Sequence, residues 1–226
     1  MRIDTNQNHC YAENMKRWAL YISIGIFTGF LLCTDKPTEQ EVRQDDISVS
    51  ANMIRLHRKT EDGSLTGIVE TMGMVKDIWV EKADYMLNRL PENVLDHFVD
   101  SGYHFYITDE EIAQTEYDGM FEHVAGVTRY GKYIKIEDRQ YAIDEALLHE
   151  FGHFVFDECG NWNRQDMLDA FYQDVSNAAL MDITYGLDDA GEFYAEVFQK
   201  YVKNPEETGK IFPNLTLIIQ EDMDSL

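Results

Sequence analysis

The chain has few cysteines, few basic residues, no internal repeat and no apolar run long enough to span a bilayer. Three cysteines, Cys10, Cys33 and Cys159, make no disulfide framework, and only Cys159 lies where the pattern is that of a folded domain. Lysine and arginine number 19 against 42 aspartates and glutamates. The resulting net charge of -23 repels phosphate backbones and excludes nucleic acid as the main partner. The uncharged, mainly apolar stretch from Trp18 to Cys33 would be a helix of about 24 Å, short of the roughly 30 Å hydrocarbon core.

That stretch follows Lys16 and Arg17 and precedes the polar segment Thr34 to Asp46, the shape of a secretory signal, with a membrane anchor as second choice. No small-x-small cleavage site follows it, and Leu31 and Leu32 make a poor lipobox before Cys33. The expected product is secreted or attached to the cell surface, touching membrane only through this N-terminal segment. The polar residues 34–67 read as a flexible linker. Residues 68–226 then form one domain, and the 44% apolar content of the chain suffices for a single core.

Within the domain, apolar spacing predicts a helix over 68–90, and a second that opens at Pro91 and ends at Gly102. The period then changes to two, predicting strands over 103–109, 124–131 and 132–138. Helices are expected again over about 142–157, 164–180, 189–203 and 205–222. The order is that of an α+β fold: a small sheet packed on a helical domain of zincin type, with the helix near residue 150 at the junction.

That helix reads "LLHEFGHFVFDE". His149 and His153, four apart, project from one helical face at the spacing with which two imidazoles grip one zinc ion, and Glu150 beside them would act as general base toward zinc-bound water. The bland alternative is two histidines on an ordinary core helix. Gly152 costs about 1 kcal/mol relative to alanine, which predicts a close neighbour at that point. A catalytic zinc needs a third protein ligand. The following residues, "FVFDECGNWN", lack the glycine and third histidine of a metzincin, so the ligand comes from elsewhere. In "YGLDDAGEFYAEVFQKY" two acids, Glu192 and Glu196, share a helical face flanked by apolar residues. Burying them costs several kcal/mol unless they are paired or bind metal. Glu192 is the candidate ligand and Glu196 the acceptor for the free ring nitrogen of a ligating histidine. Two solvated acids on an outer face remain the alternative.

"HEFGH" followed some forty residues later by "EFYAEVF" resembles the zinc peptidase domain of anthrax lethal factor and the secreted Pro-Pro endopeptidases. The resemblance, running from about Ile68 to the C-terminus, implies one zinc per chain with Glu192 as third ligand. It also implies that Tyr185, seven residues earlier, stabilises the oxyanion, a contact of a few kcal/mol. Lethal factor carries further domains for which this chain lacks room, so the free-standing arrangement is expected. The substrate implied is a protein or peptide bound in extended form, cut at Pro-Pro bonds of a bacterial surface protein or within a host protein. Residues 123–131, "HVAGVTRYG", are the candidate edge strand, with Ala125, Gly126 and Val127 receiving the substrate backbone. The expectation is an exported zinc endopeptidase. Its rivals are a non-catalytic, zinc-containing surface binding module and a zinc hydrolase acting on a non-peptide bond.

Overall fold

The computed structural model describes residues 67–121 and 124–226. The candidate export signal, all but the last residue of the expected linker, and His123 of the expected edge strand lie outside the described residues.

Four strands form one sheet: β1 (Val69–Met72), β2 (His104–Thr108), β3 (Gly126–Arg129) and β4 (Tyr133–Glu137), in the order β1-β2-β4-β3. β1, β2 and β4 run parallel, while β3 turns back through Gly131 (φ 68°) and pairs antiparallel with β4, Gly126 opposite Ile136 and Thr128 opposite Ile134. Period-two alternation divides the sheet by face. Phe105, Ile107, Ile134 and Ile136 are fully buried in the main core, as are Phe98, Phe151 and Phe154. On the other face Val127 joins Ile112, Tyr117 and Val124 in a smaller cluster, over which Glu116 binds Arg129 (3.2 Å), Lys135 and the Tyr133 hydroxyl (3.0 Å).

The helices are α1 (Asp77–Leu87), α2 (Glu92–Asp100), the short α3 (Ile112–Thr115), α4 (Leu147–Glu158), α5 (Gln165–Asp174), α6 (Ala190–Lys203), α7 (Pro205–Ile211) and α8 (Pro213–Ser225). A π-helical turn, Ala142–Ala146, leads into α4, and 3-10 turns follow α4 and α5. Among the described residues no helix is long and apolar enough to cross a membrane.

Two expectations need correction. Residues 68–90 are not one helix. Val69–Met72 pairs with β2, Gly73 turns the chain at φ 81°, and the Met74 N–H donates to Asp109 across that turn (2.9 Å), so the helix starts only at Asp77. Pairing with a distant strand overrides a local period of four residues. The expected helix over 205–222 is two helices, because Pro213 has no N–H to continue the ladder and turns Phe212 out of helical conformation (φ -120°, ψ 63°). Asp174 caps the second of them, accepting from the backbone N–H groups of Asn214 (3.0 Å) and Leu215 (2.7 Å).

α4 runs through the centre with nine of its twelve residues buried, and α6 packs along it. A Cβ built on Gly152 would lie 2.9 Å from Ala195 Cα and 3.1 Å from Phe198 Cβ. The helix that carries the histidines therefore meets the helix that carries the acids at a distance only glycine allows, the close neighbour that the sequence predicts.

Candidate metal centre

α6 begins where Asp189 caps it, accepting from Gly191 N–H (2.8 Å) and Glu192 N–H (3.1 Å). Glu192 thus stands in the first turn, aimed across the seam at α4. His149 Nε2 and His153 Nε2 are 3.1 Å apart, and each is 3.3 Å from Glu192 Oε2. All three residues are buried. Donors at about 2.0–2.1 Å from a tetrahedral ion lie roughly 3.3 Å from one another, so this nearly equilateral triangle has the dimensions of three ligands around one such ion.

The charges within the cluster support one another. Burial opposes ionisation of Glu192, but the His153 and His149 imidazoles outweigh it and hold the carboxyl below its usual range. Burial likewise works against charge on His149, and Glu192 with Glu196 overcomes it and raises the imidazole well above its ordinary value. Glu196 Oε1 lies 3.1 Å from His149 Nδ1, off the line of the ring N–H. Glu192 is buried and Glu196 nearly so, which sets aside the alternative of two solvated acids on an outer face.

Glu150 lines the same cleft and reaches toward β3. Its carboxylate Oε2 is 2.7 Å from the Thr128 hydroxyl, which also lies 2.9 Å from the Glu150 carbonyl oxygen. A Cβ on Gly126 would come within 2.8 Å of Glu150 Cγ and 2.7 Å of Ile136 Cδ1. The room beside Gly126 is thus filled by the protein's own glutamate. Gly126 and Thr128, two apart on β3, share the face toward α4 and together seat the Glu150 side chain.

Tyr185 follows the left-handed Asp182 (φ 54°) and precedes Gly186 (φ 71°), whose missing side chain lets the loop close onto Glu192. Its ring is 6.3 Å from that of His149, and burial, reinforced by Glu192 and Glu150, pushes the phenol far above its ordinary pKa. It stays a protonated donor at neutral pH.

A cleft opens over this cluster. Ala125, Gly126 and Val127 line one side, with Tyr117 and Val124 beyond them; Tyr141, Glu145, Asp182 and Tyr185 line others. The structure thus brings every candidate residue of the sequence reading to one cleft. Thr128 and Tyr117 were not singled out. Thr128 had a signal in its i, i+2 relation to Gly126, whereas Tyr117 reaches the cleft only through the packing of the α3 loop.

No protein-family profile and no curated protein matches the chain by sequence. Among solved structures, that of the PRO-PRO endopeptidase from Paenibacillus alvei is similar in fold, with a TM-score of 0.53 and 14% identity over 68% of this chain and 96% of that chain.

Proposed function

We propose that this chain is an exported zinc-dependent endopeptidase. The observation that carries the proposal is the buried triangle of His149, His153 and Glu192 with Glu150 one residue away in an open cleft. Two imidazoles and a carboxylate are the ligand set of catalytic zinc sites that leave a position open for chemistry. A zinc ion held there would act as Lewis acid on the scissile carbonyl and lower the pKa of the attacking water.

The chain's own groups supply the rest. Glu150, steadied by the Thr128 hydroxyl, takes the proton from the attacking water and delivers it to the leaving amine. The Tyr185 phenol donates to the oxygen on which charge develops. Glu196 orients the His149 ring from behind. β3, at the edge of the sheet and on the border of the cleft, offers its free backbone groups to a substrate in extended form. Cleavage between prolines is the preference we propose first, because the similarly folded protein is a PRO-PRO endopeptidase. Secretion or surface attachment is part of the proposal and rests on the pattern of residues 16–33.

The test is cleavage of a mixed peptide library, rich in Pro-Pro and in basic-apolar sequences, with and without a zinc chelator and with Glu150→Gln, read by mass spectrometry. Chelator-sensitive cuts that vanish in Glu150→Gln support the peptidase. One zinc per chain without any cut supports a non-catalytic binding module instead.

A further inference from the structure

We propose that Gln199 and Lys203 are positioning residues for His149, forming with Glu196 a polar relay that ties this ligand to the π-helical turn ahead of α4. The inference rests on the assignment of His149, His153 and Glu192 as a zinc site.

The relay begins at an ion-pair contact and continues through hydrogen bonds. His149 Nδ1 lies 3.1 Å from Glu196 Oε1; the other oxygen of Glu196 accepts from Gln199 Nε2 at 3.2 Å. Gln199 Oε1 accepts from Lys203 Nζ at 3.2 Å. Lys203 in turn donates to the Asp144 carbonyl at 2.6 Å and to Glu145 Oε2 at 3.2 Å. Glu192, Glu196, Gln199 and Lys203 fall at i, i+4, i+7 and i+11, so one face of α6 carries the metal-facing carboxylate and the whole relay.

Each chemistry suits its place. A carboxylate that hydrogen-bonds the far nitrogen of a ligating imidazole fixes its tautomer and ring angle, provided the carboxylate is itself held. Gln199, only 3% exposed, holds it. Its amide is the group that donates to a carboxylate at one end and accepts from an ammonium at the other. Lys203 closes the relay on Asp144 O, within a π-helical turn, a rare element that frequently accompanies functional sites. The terminus of α6 is thereby fixed against the start of α4, and Glu196 against His149.

A plain helix staple would make the same contacts, and the two roles differ in what they move. The full chain, stripped of metal, is titrated with zinc against a chromophoric chelator, and its thermal unfolding is followed without metal. With cobalt in place of zinc, the visible absorption bands report ligand geometry. Gln199→Leu and Lys203→Met are expected to weaken zinc binding about 10- to 100-fold and to shift the cobalt bands, with Lys203→Arg within about threefold of the parent. Metal-free unfolding should stay where it was. Parent-like zinc affinity and cobalt spectra in Gln199→Leu and Lys203→Met would overturn the proposal, as would affinity losses matched by losses of metal-free stability. Should Gln199→Leu not fold, Gln199→Met and Lys203→Met decide. A parent chain that takes up no zinc sinks the site assignment itself, an outcome distinct from variants that bind as the parent does.

Discussion

The Glu150 carboxylate occupies the space that a side chain at position 126 would fill: a Cβ on Gly126 would stand 2.8 Å from Glu150 Cγ and 3.2 Å from its Oε1. Gly126→Ala should therefore push Glu150 off its place while leaving the imidazoles and Glu192 alone. Displacing a reacting group by about 1 Å costs on the order of 10²-fold in rate, so turnover should fall by that order with zinc affinity unchanged. Steady-state kinetics beside a zinc titration checks this, and full activity would show that Glu150 moves without consequence.

Glu192 and Glu196 should separate in metal binding. Glu192→Ala removes a donor and should weaken zinc by more than about 100-fold, whereas Glu196→Ala removes only support for His149 and should cost about 10- to 100-fold. Chelator competition ranks them, and the reverse order would mean that the two carboxylates exchange roles.

Tyr185→Phe keeps the ring against His149 and removes the donor. Both kcat and kcat/KM should fall together by about 10²- to 10³-fold with KM little changed, the mark of a contact made only in the transition state. A rise in KM alone would assign Tyr185 to ground-state binding.

Gly152→Ala sets two effects against each other. Alanine gains about 1 kcal/mol in helix propensity, but its methyl would meet the Ala195 backbone at 2.9 Å, and overpacking of that kind costs about 1–3 kcal/mol. Because the obstacle is main chain, the clash should win and lower the Tm of the metal-free protein by a few degrees. A raised Tm in calorimetry would show that the seam can open without penalty.

How much of this was legible in advance follows from how local each signal is. His149, Glu150 and His153 lie within one helical turn, and Glu192 and Glu196 within another, so spacing alone gave their faces. Gly152 announced a close crossing through its cost inside a helix. By contrast, β1 is made by its pairing with β2, more than thirty residues away, and its own residues also fit a helical period. Pro213 carried a breaker signal that the apolar pattern around it concealed. The seating of Glu150 by Gly126 and Thr128 depends on the register of β3 over α4, and no short window of sequence contains both.

The seam between α4 and α6 also has a kinetic meaning. Two of the three donors belong to one helix and the third to the other, at a crossing too tight for any residue but glycine. An ion bound there would be a clasp between segments some forty residues apart in the chain, open to the cleft on one side and held by both helices on the other. Any lifting of α6 from α4 would take the third donor from the other two, so the exchange of isotopically labelled zinc would also register local opening of the core.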